Sequence, residues 1–374
     1  MRPSHESPFQ SLTVPITRAS TIVFDSLDDF VNRFTRQPDG FSYGVTGTPT
    51  TRALEKEIAS LENGAHCVVF PSGQAALTAA ALALLKSGDH VLVTDGAYGP
   101  FRDFCVRWLA QLGIEVGFYP ANCRGAFSEY VRPNTRLIHI EAPASLTMEM
   151  PDIPAIVKAA RAGGIRTMMD NTWASTVAYR PLEHGVDLSI EAASKLFGGH
   201  SDLLMGTVST NDFELHRKLR DVQSTVGLSV SPDEAALVLR GLHTLELRYK
   251  AQAKSTLKIA EWLDEHPMVE RVHYPALRSD QDFDLWQRDF TSAGCVLSFS
   301  TKHWDLGRYR RFFAKLNHFA IGASWGGVHS LAAFYPGEVH DMRAYKTTEL
   351  PLIRLSIGLE DVDTLVSELQ AAFG

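Results

Sequence analysis

The chain reads as an α/β protein with a mostly parallel seven-stranded sheet covered by helices on both faces, followed by a smaller C-terminal α+β domain. Three observations carry this. Seven short apolar runs between residues 67 and 210 alternate with helical patterns or turn signals, as strands buried on both faces require. A long Leu-rich helical stretch over about 232–265 follows them. Beyond it lie new strand patterns and a closing helix at 362–373.

Taken in order, residues 1–49 hold Pro, Ser and Thr clusters and read as an extended arm, in which Ile22, Val23 and Phe24 could pair as a short strand. From Thr50 the pattern changes: Leu54, Ile58 and Leu61 form one helical face that stops at Asn63-Gly64. Strands are expected at 67–70, 90–95, 113–119, 136–141, 165–170, 186–192 and 203–210, with helices over 75–85 and 153–162. The C-terminal part contains CVLSFS (295–300), a helix around 306–316 and PLIRLSIG (351–358). The expected division is an arm (1–49), a large domain (50–245) and a smaller one (246–374).

Composition excludes several classes of function. The 374 residues are 45% hydrophobic and 21% charged, an ordinary globular balance. A net charge of −7, with both signs mixed along the chain, gives no footprint for nucleic acid or an anionic membrane. Cys67, Cys105, Cys123 and Cys295 form no CxxC pair, which suits reduced, buried thiols. The start, MRPSHESPFQ, lacks an apolar signal region, and the apolar run Ala75–Leu85 is too short to span a bilayer. A cytoplasmic protein is expected.

In an open α/β sheet, ligands bind outside the carboxyl ends of the strands, and three candidates fall there. PSGQAAL (71–77) leaves a strand and opens a helix, so Gly73 lets backbone N–H groups approach an anion at a helix N-terminus. Many such turns bind nothing, and neither P-loop nor Rossmann spacing is present. Asp170 ends a strand before Asn171-Thr172-Trp173. It could cap the turn or pair with a protonated pyridine nitrogen. Lys195 is flanked by apolar residues and glycines; it is either a surface charge or a buried amine made nucleophilic by a lowered pKa. His200 reads as a structural hydrogen-bonding group, and no spaced ligand set suggests a metal.

DNTWAS (170–175), SKLFGGHSDLLMGT (194–207), ASWGG (323–327) and RLSIGLED (354–361) are long, specific and ordered. Through them the chain resembles the Cys/Met-metabolism family of fold-type I pyridoxal-phosphate enzymes, from about Arg18 to Asp361, and most of all its bacterial β-lyase branch. The resemblance implies pyridoxal 5'-phosphate held covalently by Lys195, with Asp170 on the pyridine nitrogen and Tyr98 stacked on the ring. It implies that Gly73, Gln74 and the Ser194 hydroxyl hold the phosphate. Tyr43, from the arm, would reach the phosphate of a neighbouring subunit and help deprotonate the substrate, which implies a homotetramer built from dimers. Arg354 would clamp the substrate carboxylate. Ser324 would orient that carboxylate or the lysine, with Trp325 beside them.

Trp173 and Trp325, together with the absence of Thr-Asn-Pro from EAPASLTMEM (141–150), favour carbon–sulfur cleavage at Cβ, of L-cystathionine or a related cysteine conjugate, over the γ branch. Two positions depart from the family pattern. Val45 stands where an arginine commonly meets phosphate, leaving Thr46 or Thr48 to offer a weaker hydrogen bond. His329 stands where a glutamate is common, which bears on the distal end of the substrate.

Overall fold

The computed structural model describes residues 9–124, 127–336, 343–345 and 351–374. Among its described residues the arm carries a short helix, α1 (Leu27–Val31), and two short 3₁₀ stretches. Ile22–Phe24 form no strand. Their β-branched and aromatic character finds no pairing edge, and Val23 is 75% exposed.

The first helix of the large sheet unit, α2 (Pro49–Leu61), starts at Thr48 through a reciprocal capping box with Thr51 and has Pro49 at its first position. Its inward face is Leu54 and Ile58. As the Asn-Gly pair predicts, it stops at Asn63, whose φ is +51°.

In chain order there follow β1 (His66–Phe70), α3 (Gly73–Leu84), β2 (His90–Thr94), α4 (Gly99–Phe104), β3 (Glu115–Tyr119), β4 (Thr135–Glu141), α5 (Ile153–Ala162), β5 (Arg166–Asp170), α6 (Ser175–Ala178), β6 (Leu188–Glu191) and β7 (Gly206–Thr210). The strand order is β1-β7-β6-β5-β4-β2-β3. Neighbours from β6 to β3 run parallel, whereas β7 is antiparallel to both β1 and β6. The expected seven-stranded, mostly parallel sheet is present.

Next comes α7 (Phe213–Val226), which the sequence pattern does not announce. Its inward face includes His216, Arg220 and Gln223 beside Leu215 and Leu219, so the apolar stripe that marks a helix is broken by buried polar groups. The stretch 232–265 is two helices, α8 (Pro232–Leu242) and α9 (Leu245–Asp264), interrupted at His243-Thr244.

The remaining elements are β8 (Val269–His273), α10 (Phe283–Asp289), β9 (Val296–Thr301), α11 (Leu306–Ala314), β10 (Ala320–Ile321), β11 (Leu331–Tyr335), β12 (Leu352–Ser356) and α12 (Val362–Phe373). Their strands form a second sheet in the order β10-β11-β12-β9-β8. One continuous core links the two sheets: Met169, Trp173, Tyr249, Val296, Leu355 and Phe373 belong to the same buried cluster. The four cysteines are buried free thiols. No described helix is long and apolar enough to cross a membrane.

Candidate active site

A cavity of about 680 Å³ lies between the carboxyl ends of the first sheet and the edge of the second. Gly73, Tyr98, Asp170, Ser194, Lys195 and Arg354 all line it, as do Ser324 and Trp325. Gly73, Tyr98, Asp170, Ser194 and Lys195 come from strand ends of the first sheet or the turns after them, because its parallel strands deliver their loops to one side. Arg354, by contrast, comes from the middle of β12 in the second sheet.

At the start of α3, Ser72 caps the helix by accepting the Ala75 N–H at 3.0 Å. The N–H groups of Gly73 and Gln74 have no acceptor among the described residues, as the first turn of a helix dictates. A Cβ on Gly73 would lie 2.7 Å from the Ala192 Cβ, so only glycine fits this approach. Gln74 donates to Pro100 O at 3.0 Å, while its buried Oε1 has no partner among the described residues. The Ser194 hydroxyl is engaged with Met205, donating to its carbonyl at 3.1 Å and accepting from its N–H at 2.8 Å. To serve an anionic ligand, that hydroxyl has to turn its single proton away from Met205 O.

Asp170 closes β5. Its Oδ1 accepts from Thr172 N at 3.0 Å and Thr172 Oγ1 at 2.5 Å, leaving Oδ2 without a described donor. Burial raises its pKa, and the Thr172 bonds and Lys195 oppose that rise. Thr172 thus serves both sequence readings: the carboxylate caps its turn with one oxygen and offers the other to the cavity.

The Lys195 amine donates to Ser324 Oγ at 2.6 Å and lies 5.3 Å from the centre of the Trp325 ring. Burial, and then the Arg354 guanidinium, lower its pKa to about 8. The amine is therefore far easier to deprotonate than an exposed lysine.

Tyr98 follows β2 and is 43% exposed, with its ring toward the cavity. Its N–H donates to Glu141 Oε2 at 2.7 Å. Arg354, in the middle of β12, is buried and donates to Ser324 O at 3.1 Å. Its guanidinium lies 5.1 Å from the Tyr335 ring centre. No carboxylate among the described residues pairs with it, so the salt-bridge alternative fails there and one buried cation faces the cavity unpaired.

Other expectations fare differently. Trp173 also lines the cavity, but its indole N–H donates to Val296 O at 3.1 Å and its ring packs on Gly294, so it joins the two sheets as well. His200 Nδ1 donates to Gly198 O at 2.7 Å. His329 is at the rim, its Nδ1 3.8 Å from Glu360. Tyr43 is 55% exposed and does not line the cavity of its own chain. The Thr46 hydroxyl donates to Tyr43 O at 2.9 Å, and Thr48 caps α2 within its own chain.

Sequence reasoning missed Glu141, Thr172 and Ser72. Ser72 carried a signal, a serine just before a helical run. Glu141 ends its strand as Asp170 does, but nothing in EAPASL distinguishes it.

The donor set fits pyridoxal phosphate: anion-seeking N–H groups at a helix start, a carboxylate with one free oxygen, and an aromatic face over an easily deprotonated lysine. A model of the family described as Cys/Met metabolism PLP-dependent enzyme matches residues 2–374. The chain belongs to that family.

Among proteins of the Cys/Met-metabolism family, it is 42% identical over 364 residues to a putative cystathionine β-lyase of Rhizobium johnstonii, covering 96% of this chain and 90% of that protein. It is 39% identical to a cystathionine β-lyase of Escherichia coli, covering 96% and 92%. A solved cystathionine γ-lyase of Lactobacillus plantarum superposes with a TM-score of 0.87 at 30% identity, covering 96% and 93%. Within the Cys/Met-metabolism family the fold is fold-type I, and the cofactor is pyridoxal 5'-phosphate.

Proposed function

We propose that the chain cleaves the Cβ–S bond of L-cystathionine, taking up water and releasing homocysteine, pyruvate and ammonia. It is a pyridoxal-phosphate-dependent carbon–sulfur lyase of the cystathionine β-lyase type. One observation carries the residue roles: an easily deprotonated Lys195 amine and an unpaired Arg354 guanidinium face the same cavity.

Bound pyridoxal phosphate supplies an electron sink for the pair released at Cα. Gly73 and Gln74 N–H groups, with the Ser194 hydroxyl, hold its phosphate. Asp170 Oδ2 would hold its ring nitrogen, and Tyr98 would pack against the ring. Arg354 takes the substrate carboxylate through its guanidinium fork. Lys195, as the neutral amine, would remove the Cα proton and carry it toward the departing sulfur. Ser324 keeps the amine on that line, and Trp325 walls the reacting atoms from water.

Likeness to β-lyases at 42% and 39% supports β- over γ-cleavage. Tyr43 is exposed and does not line its own cavity, on an arm that also exposes Phe30, Val31 and Phe34. That supports a dimer-based homotetramer in which Tyr43 serves a neighbour's phosphate and substrate. The proposed setting is the cytoplasm. A second reading, cysteine conjugates without a distal charge, is favoured by the apolar wall of Leu146, Met148, Leu203, Leu204 and Leu331.

The deciding experiment is mass spectrometry of the keto acid released from L-cystathionine by the cofactor-loaded protein. Pyruvate with homocysteine is expected. Oxobutyrate with cysteine would move the chain to the γ branch, and turnover of S-alkyl cysteines alone would favour the second reading.

A further inference from the structure

Glu141 and Asp170 are register partners on the neighbouring parallel strands β4 and β5. Side chains at paired positions of adjacent strands point to the same face, and both carboxyls line the cavity. Two buried carboxylates so placed repel each other, and one of them keeps a proton. The surroundings decide which.

Asp170 is served by two Thr172 donors and faces the Lys195 amine. Glu141 receives one described donor, the Tyr98 N–H. The cation that favours its charged form is Arg343, whose Nε and Nη1 donate elsewhere while its buried Nη2 has no partner among the described residues. It donates to Thr147 Oγ1 at 2.7 Å and Asp95 Oδ2 at 3.3 Å, and lies 3.7 Å from Glu149. Burial and the Asp170 charge both push Glu141 well above the usual carboxylate range.

We propose that Glu141 is a positioning residue for Tyr98, acting as the neutral acid so that Asp170 alone carries the charge offered to the cofactor's ring nitrogen. The loop from Asp95 to Tyr98 is fixed at both ends. Asp95 is held by Arg102 at 2.5 Å and by the Ala344 and Tyr345 N–H groups at 2.9 Å each. Glu141 fixes the other end through the Tyr98 amide. Placement of the Tyr98 ring therefore depends on an acceptor at Glu141, not on a charge there. The inference rests on the cofactor reading above.

The test compares full-length parent, Glu141→Gln and Glu141→Leu for affinity toward pyridoxal phosphate, visible circular dichroism of the bound cofactor, and the pH midpoint of its visible absorption. Thermal unfolding is followed in parallel. Gln keeps a neutral acceptor; its affinity should stay within about threefold of the parent and its midpoint within roughly 0.3 pH unit. Leu leaves the Tyr98 amide unpaired and should lose about tenfold in affinity, with a weakened dichroic band. If the leucine variant does not fold, Glu141→Met replaces it. A midpoint moved by about one pH unit in Glu141→Gln would mean that Glu141 is charged, which overturns the inference. So would parent-like affinity and dichroism in the apolar variant. A parent that binds no pyridoxal phosphate would instead sink the cofactor reading itself, a result the variants cannot mimic.

Discussion

Lys195 Nζ donates to Ser324 Oγ at 2.6 Å, and Ser324 holds that hydroxyl from a backbone φ of +82°. A serine in the left-handed region costs about 1–2 kcal/mol that a glycine would not. Strain of this kind is retained where a side chain must be aimed. Ser324→Gly should therefore raise stability by about 1 kcal/mol while lowering turnover roughly tenfold. Ser324→Ala should lose the same turnover with no gain in stability. Thermal unfolding and steady-state rates of the pair check this. Full activity in the alanine variant would show that the hydroxyl orients nothing, since the Ser324 carbonyl that accepts from Arg354 survives both changes.

Lys195 should react as an amine with a pKa of about 8. Burial is the larger cause and Arg354 the next. In the cofactor-free protein, the rate of capture of pyridoxal phosphate should rise with pH and level off above about 8, where the amine is neutral. An ordinary lysine would keep gaining toward about 10.4. Removing the Arg354 charge, as Arg354→Met, should move the midpoint upward, because a neighbouring cation disfavours a second one. Stopped-flow absorbance reads both. Lys195→Ala should abolish capture and turnover together.

The sequence made the principal residues legible where chemistry coincides with a local rule. Gly73, Asp170 and Lys195 sit at strand ends beside turn residues, and the structure gathers them around one cavity. What stayed hidden depends on contacts between distant segments. Glu141 matters through its lateral pairing with Asp170, and Arg343 reaches Asp95 across 248 positions. The helix Phe213–Val226 was obscured for a related reason. Arg220 and His216 face inward because Glu55 and Asp39 meet them there, and buried polar pairing erases the apolar period. The arm erred in the other direction, since Ile22–Phe24 has strand chemistry but no partner strand.

Arg354 should be sensitive even to a conservative change. Its guanidinium is buried in the middle of β12, with register partners Ala333 and Ser298, so it cannot move far. A lysine there offers a point charge in place of a two-pronged donor. Arg354→Lys should raise KM for L-cystathionine by about 10- to 100-fold, with a smaller effect on kcat, since the carboxylate is held before and during reaction. A fall in kcat at constant KM would instead assign Arg354 to the chemical step, through its effect on Lys195.

Glu62 gives the protein a pH-dependent stability unrelated to catalysis. It lies just past α2 with no exposure, its Oε1 accepts from Ser189 Oγ at 2.9 Å, and its Oε2 has no partner among the described residues. Burial pushes its pKa from 4.5 up to about 7. Between those values the folded chain holds a proton that the unfolded chain has released, so stability falls as pH rises through this window and is flat above it. The Glu62 charge also pushes the buried Glu191 carboxyl upward, so the two titrate together and the loss of stability with rising pH belongs to the pair. Glu62→Gln carries no such charge in either state. Its advantage over the parent in Tm, measured on the cofactor-loaded protein, should be small near pH 4.5 and grow toward pH 7.5. An equal Tm difference at both pH values would mean that Glu62 ionises normally in the fold, and that the missing partner of Oε2 is met some other way.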